Sequence, residues 1–142
     1  MPKIREATIE DADQINLISA QLGYQKSTDE EAEKRLREIL ESTSDYIWIY
    51  HEDRKLKGWI HLFVSIRLAS SGFAEIGGLV VDKSCRRSGI GRKLVEQARQ
   101  WSKINNMPVR VRCNANREVA NRFYQSIGFD CLKTQKIHQL RP

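Results

Sequence analysis

Apolar residues recur every three or four positions in four segments of the chain, which is the spacing of an amphipathic helix. Two of these segments lie before residue 42, one begins near residue 90, and one spans residues 116–127. Their apolar positions are Ala12, Ile15, Ile18 and Leu22; Ala32, Leu36, Ile39 and Leu40; Ile90, Leu94, Ala98 and Trp101; and Val119, Ala120, Phe123, Tyr124 and Ile127.

Capping patterns support these helices. Thr8-x-x-Asp11 and Ser27-x-x-Glu30 resemble the capping box that begins a helix, so they predict the starts of the first two. Gly23 follows the first helical segment, where a glycine commonly ends a helix.

Five other segments are rich in β-branched and aromatic residues, or alternate between apolar and polar residues, and these predict strands. They are residues 3–7, 46–50, 56–66, 73–81 and 109–113, and residues 129–140 add a closing strand or hairpin. The strand, helix and strand of residues 73–113 form a βαβ unit, whose two strands should be parallel. The order predicts an α/β (α+β) protein with a mixed, mostly antiparallel, twisted sheet and helices on both faces.

Length and composition are those of one globular domain spanning residues 1–142. The chain is 40% hydrophobic and 30% charged, and no apolar stretch approaches the roughly 20 residues that a membrane span needs. The N-terminus has no signal-peptide core, so the expected location is cytoplasmic and no membrane partner is expected. The formal charge of +6 suits an anionic ligand, but the basic residues are spread among acidic ones. Nucleic-acid binding is therefore not expected.

The cysteines and histidines do not predict a metal site. Three cysteines, at positions 85, 113 and 131, lack the spacing of zinc ligands. The histidines at positions 51, 61 and 138 also lack ligand spacing, and each is interpreted as a residue of the sheet or the surface.

A glycine-containing loop between a buried strand and a helix is the strongest candidate binding site. Residues 86–91 read Arg-Arg-Ser-Gly-Ile-Gly, and Arg92 follows. Backbone N–H groups at a helix start bind anions, and glycine lets a ligand approach the backbone closely. The segment matches neither the P-loop nor the dinucleotide-binding fingerprint. We interpret it as a site for another kind of pyrophosphate.

Two segments together resemble the GNAT superfamily of N-acetyltransferases. The first is R-x-x-G-x-G in residues 86–91, after the strand that contains E-I-x-x-L-V-V. The second, N-x-x-R-x-x-A-x-x-F-Y-x-x-x-G-F in residues 114–129, is similar to the pattern that closes the cofactor site in that family. The resemblance covers essentially the whole chain and implies the GNAT fold, with the βαβ unit binding acyl-CoA.

The resemblance assigns the acetyl-CoA site residue by residue. The backbone of Leu79, Val80 and Val81 would pair with the pantetheine arm, which needs a splayed sheet and a bulge at Gly77-Gly78. The residues expected to hold the pyrophosphate are Arg86, Arg87, Ser88, Gly89, Ile90, Gly91 and Arg92. Asn114 and Asn116 would add polar contacts to the cofactor.

The same resemblance implies an acetyl transfer by direct attack of a primary amine. Glu75 would accept the amine's proton, through water, and Tyr124 would give a proton to the departing thiolate. A backbone N–H near Leu79 would stabilise the oxyanion. Cys113 could instead suggest an acyl-enzyme, but no histidine is placed by a motif to activate it.

The acceptor is the least determined part. A small-molecule or peptide amine is expected, with Tyr24 and its loop as candidate walls of the acceptor pocket. Arg110 and Arg112 share one strand face with Asn114 and would favour an anionic acceptor if that face borders the pocket. The alternative function is a non-catalytic acyl-CoA-binding regulatory module. The sequence also leaves a homodimer open.

Overall fold

The computed structural model describes residues 3–23 and 27–142, so the loop with Tyr24 lies outside the described residues. The chain divides into two compact units, Met1–Val111 and Arg112–Pro142. That residues 1–142 form a single domain stays a prediction.

The first unit contains one sheet whose five described strands lie side by side in chain order. They are β1 (Ile4–Glu6), β2 (Asp45–Glu52), β3 (Lys55–Ser65), β4 (Phe73–Val81) and β5 (Val109–Val111). The first four pair antiparallel, and β4 pairs parallel with β5. The predicted mixed, mostly antiparallel sheet with one parallel pair is confirmed.

Helices cover both faces of this sheet, as predicted. In the first unit they are α1 (Ala12–Ser19), α2 (Asp29–Glu41) and α3 (Ile90–Asn105). A Cβ built on Gly58 would lie 3.1 Å from Leu94 Cδ1 of α3, whereas the next residue, Trp59, donates from Nε1 to Ser19 Oγ of α1 at 3.1 Å. Because successive strand residues point to opposite faces, α1 and α3 lie on opposite sides. We call the side that carries Trp59 the α1 face.

The core of the first unit comes from the apolar positions that define the pattern. The largest fully buried side chains are Ile49, Ile60, Leu62, Leu94 and Val80. The predicted apolar face of α3 is buried along its length. None of the described helices is long and apolar enough to cross a membrane.

The predicted start of the first helical region is confirmed, and the predicted start of α2 differs by one residue. Asp11 accepts the Thr8 N–H at 2.8 Å, as the predicted capping pattern requires. In α2 the cap is Thr28, not Ser27, because Thr28 is extended and its Oγ1 accepts the Glu31 N–H at 3.1 Å. Gly23 ends the first helical region with a left-handed φ of 83°, as expected.

The second unit contains one described helix, α4 (Glu118–Ser126), which is slightly shorter than the predicted 116–127. The predicted closing strand or hairpin over residues 129–140 is wrong, because these residues have no strand assignment. Leu132, Ile137 and Leu140 are exposed. A β-prone segment becomes a strand only when a second strand satisfies its backbone groups, and no described strand pairs with this one.

The Arg5–Asp11 pair fastens β1 to the start of α1. Both guanidinium Nη atoms donate to the Asp11 carboxylate at 2.8 Å, and Asp11 is among the few buried polar residues. Burial raises the pKa of the Asp11 carboxyl, but the hydrogen bonds from Arg5 and from the Thr8 backbone outweigh it and hold the pKa below its ordinary value.

Replacement of Asp11 by Asn should therefore destabilise the protein. We expect a loss of about 1–3 kcal/mol in the free energy of unfolding at pH 7, because the charge-assisted hydrogen bonds are lost while Arg5 is partly exposed. Urea unfolding monitored by circular dichroism measures this difference.

The pH dependence provides the check. Because the folded-state pKa of Asp11 is depressed, its contribution is present above the ordinary pKa of about 3.9 and is lost as the pH falls through the folded-state value. The stability difference between wild type and Asp11→Asn should shrink as the pH is lowered from 7 to 3. Asp13→Asn, at an exposed position in the first turn of α1, is the matched control. An equal loss in both variants would contradict the assignment.

Candidate functional site

A β-bulge interrupts β4 at its pair of glycines. Gly78 lies opposite His61 and Ile76 lies opposite Leu62, so Gly77 is an extra residue with no partner on β3. A Cβ on Gly78 would lie 2.6 Å from Trp59 Cη2, and one on Gly77 would lie 3.1 Å from His61 Nδ1. Both glycines therefore turn their missing side chains toward the α1 face. The bulge expected from the sequence is present.

The parallel ladder stops at this bulge. β5 pairs with Ala74, Glu75 and Ile76 of β4 and with no later described residue of that strand. On the opposite side, Leu79, Val80 and Val81 stay paired with β3. The edge of β4 from Gly77 to Val81 is thus not covered by β5. We call it the open edge of β4, and its backbone groups can pair with an extended ligand.

A loop of defined shape connects the open edge of β4 to α3. This arginine loop, residues 82–89, begins with a turn in which Asp82 Oδ1 accepts the Ser84 N–H at 3.1 Å and its carbonyl accepts the Cys85 N–H at 2.8 Å. The hydrogen bond from the Ser84 N–H holds the pKa of the Asp82 carboxyl below its ordinary value. Gln21 Oε1 accepts the Lys83 N–H at 2.9 Å, which ties the loop to the end of the first helical region.

The arginine loop ends in two left-handed residues, Arg87 with φ 67° and Gly89 with φ 86°. Ser88 Oγ donates to the Cys85 carbonyl. The first described α3 hydrogen bond from this end runs from the Lys93 N–H to the Gly89 carbonyl at 3.1 Å. The N–H groups before it have no acceptor within the helix. They provide donors for an anion, with the partial positive charge of the helix start.

The predicted pyrophosphate residues divide by exposure. Arg86, Arg87, Ser88, Gly89 and Arg92 are exposed, so their side chains or backbone can reach a ligand. Ile90 is buried, so only its backbone N–H can contribute. None of the three arginines forms a salt bridge with a described residue, which leaves their charge available for an anion.

Three side chains with acid–base chemistry lie on the α1 face beside the bulge. Glu75 of β4 is directly opposite Phe63 of β3 and is half-buried. His61 Nε2 lies 2.7 Å from Asp45 Oδ2 of β2. Ser42 Oγ donates to Asp45 Oδ1 at 2.7 Å.

The environment of Asp45 favours its charged form. Burial raises the pKa of the Asp45 carboxyl, but the hydrogen bonds from His61 and from Ser42 outweigh it and hold the pKa below its ordinary value. The sequence did not single out the pair of His61 and Asp45, because its members are 16 residues apart and meet only through the register of β2 against β3. The cross-strand register was the one signal that could have found it.

The prediction that Arg110, Arg112 and Asn114 share one face of the last strand is wrong. The strand ends at Val111, so Arg112 and Asn114 lie beyond it and the alternation no longer applies. Arg110 lies opposite Glu75 in the parallel register, and its guanidinium carbon is 4.0 Å from the centre of the Phe73 ring. That contact accounts for the position of Arg110 at the edge of the sheet.

In the second unit, Asn114 builds the turn that starts α4. Its Oδ1 accepts the Asn116 N–H at 2.9 Å, and its carbonyl accepts the Arg117 N–H at 3.0 Å. Asn121 Nδ2 donates to the same carbonyl at 2.9 Å, a contact that the sequence did not identify. Asn116 is exposed. Their predicted contacts with the cofactor stay predictions.

Tyr124 is half-buried on α4 between two aromatic rings. Its ring meets Phe123 edge-on at 5.3 Å and Phe129 at 5.6 Å between centroids. The Tyr124 carbonyl accepts the Phe129 N–H at 3.0 Å, which closes the turn after the helix. The ring is therefore held in one orientation by its neighbours.

Solved structures share this fold at low sequence identity. A transcriptional regulator from Bacillus halodurans is 22% identical with a TM-score of 0.84, and the match covers 96% of this chain and 98% of that one. Aminoglycoside 6'-N-acetyltransferase AAC(6')-Ih from Acinetobacter baumannii is 14% identical with a TM-score of 0.84, covering 98% and 97%. AAC(6')-Iy, in complex with the bisubstrate analogue CoA-S-monomethyl-acetylneamine, is 17% identical with a TM-score of 0.83, covering 98% and 97%.

The family comparison spans both units. A search of curated protein sequences gave no match. The model of the acetyltransferase (GNAT) family matches residues 11–129, which include the bulge, the open edge of β4, the arginine loop and Tyr124. The chain belongs to the GNAT acetyltransferase family, as its two sequence motifs predicted.

Proposed function

We propose that this protein is an N-acetyltransferase that moves an acetyl group from acetyl-CoA to a primary amine by direct attack in a ternary complex. The observation that carries the proposal is the loss of β4–β5 pairing at Gly77, which leaves the open edge of β4 next to the arginine loop. Acetyl-CoA as the donor, predicted from the sequence, is confirmed at the level of the family.

The open edge of β4 fits the extended, amide-containing arm of acetyl-CoA. The backbone of Leu79, Val80 and Val81 would bind the arm as an added strand, since peptide-like amides pair with free strand edges. Any side chain at position 78 would clash with the ring of Trp59. The close packing between the bulge and this ring therefore requires glycine. The N–H group near Leu79 is proposed as the donor to the oxyanion.

The arginine loop fits a diphosphate. The exposed side chains of Arg86 and Arg87 in the loop, and of Arg92 in the first turn of α3, supply formal positive charge, and residues 89–91 supply backbone N–H groups. Charge-assisted hydrogen bonds of this kind are roughly twice as strong as neutral ones. The Asp82 turn and Gln21 hold the loop in shape before a ligand arrives.

Acetyl transfer needs a neutral amine. A lysine-like amine has a pKa of about 10.4, so a group of the enzyme must take a proton from it near neutral pH. We propose that Glu75 accepts this proton through a water molecule. Its half-buried place on the α1 face, beside the bulge, supports that role.

The departing thiolate needs a proton in return. We propose that Tyr124 supplies it from its phenolic hydroxyl. The motif match of residues 114–129 supports this role. The contacts with Phe123 and Phe129 orient the ring, while the residue stays only half-buried.

The acceptor is proposed to be a small-molecule amine. Two structural neighbours are named as aminoglycoside acetyltransferases, which supports testing aminoglycosides first, with polyamines, amino acids and lysine peptides beside them. Release of CoA from acetyl-CoA, measured with a thiol reagent, identifies the acceptor. Binding of CoA without turnover by any amine would instead favour a non-catalytic acyl-CoA-binding module.

Arg87→Ala should weaken CoA binding. We expect the Kd to rise about three- to tenfold, because loss of one solvent-exposed charge-assisted contact costs about 1 kcal/mol. Isothermal titration calorimetry measures the change, which should diminish at high salt because ions screen the contact.

Arg54→Ala is the matched control for Arg87→Ala. Arg54 also has a left-handed backbone, with φ 63°, and is exposed, but it lies in the turn between β2 and β3. The Kd of the Arg54→Ala protein for CoA should equal that of wild type. Equal Kd values for all three proteins would remove Arg87 from the pyrophosphate site.

Tyr124→Phe should lower turnover and leave donor binding intact. We expect kcat to fall about 10- to 100-fold, because a general acid contributes at least about two orders of magnitude and solvent can replace part of it. The ring contacts with Phe123 and Phe129 are kept, so the Kd for CoA should stay within twofold. Steady-state kinetics and calorimetry measure the two quantities.

The control for this variant removes a phenolic hydroxyl elsewhere. Tyr46 of β2 is half-buried and stacks on Trp48 with ring centroids 5.8 Å apart. Tyr46→Phe should keep the wild-type kcat. A Tyr124→Phe protein with wild-type turnover would exclude the hydroxyl from the reaction.

A further inference from the structure

A second titratable group lies beside the bulge and has no role in the function proposed above. It is His61 of β3, paired with Asp45 of β2 at 2.7 Å. We propose that His61, oriented by Asp45, is a further proton acceptor for the amine, in parallel with Glu75. This inference rests on the proposed acetyl transfer and adds a catalytic residue and a positioning residue to it.

The geometry determines which nitrogen of His61 can act as the base. In the neutral ring, Nε2–H donates to the Asp45 carboxylate, so the lone pair is on Nδ1. Asp45 is itself held in place by Ser42 Oγ at 2.7 Å and by Ser44 Oγ at 3.4 Å. An acid that fixes the tautomer and orientation of an imidazole in this way is a recurring device of enzymes.

Nδ1 faces the bulge. It lies 3.1 Å from the position that a Cβ of Gly77 would occupy. Because Gly77 has no side chain, nothing from that residue covers the nitrogen. The His61 side chain keeps 20% of its surface exposed, so an amine or a water molecule can reach it. The lone pair therefore points to the part of β4 where the open edge begins.

The surroundings of His61 are mostly apolar. On its own strand its α1-face neighbours are Trp59 and Phe63, the latter at 5.8 Å between ring centroids. The charged residues on this face include Asp45 of β2, Lys57 of β3, Glu75 of β4 and Arg110 of β5, which lies opposite Glu75. In the described parts of α1 and α2, no charged side chain forms a hydrogen bond or ion pair with His61.

The proton balance of the step is complete. The ammonium gives one proton to Nδ1 of His61, and the neutral nitrogen attacks the thioester carbon to form the C–N bond. The C–S bond breaks, and the thiolate takes a proton from Tyr124. The nitrogen's remaining extra proton passes to solvent and on to the phenolate, and His61 returns its proton to solvent. The net products are the amide, free CoA and one proton.

The test is the pH profile of kcat/KM with an accepted amine, for wild type, His61→Gln and Glu75→Gln. Glutamine keeps an N–H that can donate to Asp45 but has no basic nitrogen. We expect His61→Gln to lose about 10- to 100-fold in kcat/KM at pH 7.5. It should also lose the acidic limb of the wild-type profile, while its Kd for CoA stays within twofold. Glu75→Gln should keep that limb.

Two further proteins make the result specific. Asp45→Asn should reproduce most of the loss in kcat, because it no longer imposes the correct tautomer. His51→Gln changes a histidine of β2 that makes no described side-chain hydrogen bond and should match wild type throughout. An acidic limb that survives in His61→Gln, or that disappears in Glu75→Gln instead, would overturn the inference and leave acetyl transfer standing. A wild-type protein inactive with every amine would overturn both.

A measurement on the wild-type protein covers the case of a variant that does not fold. Nitrogen-15 NMR of labelled histidine distinguishes the two neutral tautomers. We expect the His61 signal to be that of the Nε2–H form, with a nonprotonated Nδ1. The Nδ1–H form would contradict the proposal, because no lone pair would then face the bulge.

Discussion

The pairing between β4 and β5 ends after three residues, and the rest of the site depends on that interruption. A strand that loses its neighbour exposes backbone N–H and C=O groups, which must be satisfied by water or by a ligand. β4 tolerates this because its other edge remains paired with β3 up to Val81 and because Val80 is buried in the core. The open edge of β4 is therefore a stable surface of the folded protein, already in the extended conformation that an added strand requires.

The bulge that accompanies this interruption is tied to the N-terminal helices through Trp59. The indole ring occupies the space beside Gly78, and its Nε1 donates to Ser19 of α1. α1 thus contributes to the position of the ring against which the bulge packs. A second tie runs from Gln21 to the arginine loop. Two contacts from one helical region therefore reach both the bulge and the arginine loop. Residues distant in sequence thus contribute to the positions of both.

The sequence predicted the features that depend on neighbouring residues better than those that depend on residues far apart in the chain. The limits of β4 and the start of α3 were predicted correctly, because an apolar run and a helical period are local patterns. The capping residue of α2 was displaced by one, since Ser27 and Thr28 are chemically equivalent candidates and only the backbone angles choose between them. Residues 129–140 were predicted as a strand or hairpin, yet a strand exists only with a partner. The contact of His61 with Asp45 needed the register of two strands, which no local pattern contains.

The two sides of the candidate site differ in what they are made of. The donor side consists of backbone groups at the open edge of β4 and at the start of α3, together with the exposed side chains of Arg86, Arg87 and Arg92. The α1 face consists of side chains: Trp59, His61, Phe63, Glu75 and Asp45. Under the proposed function, the choice of amine and the source of the base are then properties of the α1 face, whereas binding of the donor depends on the open edge of β4 and the arginine loop.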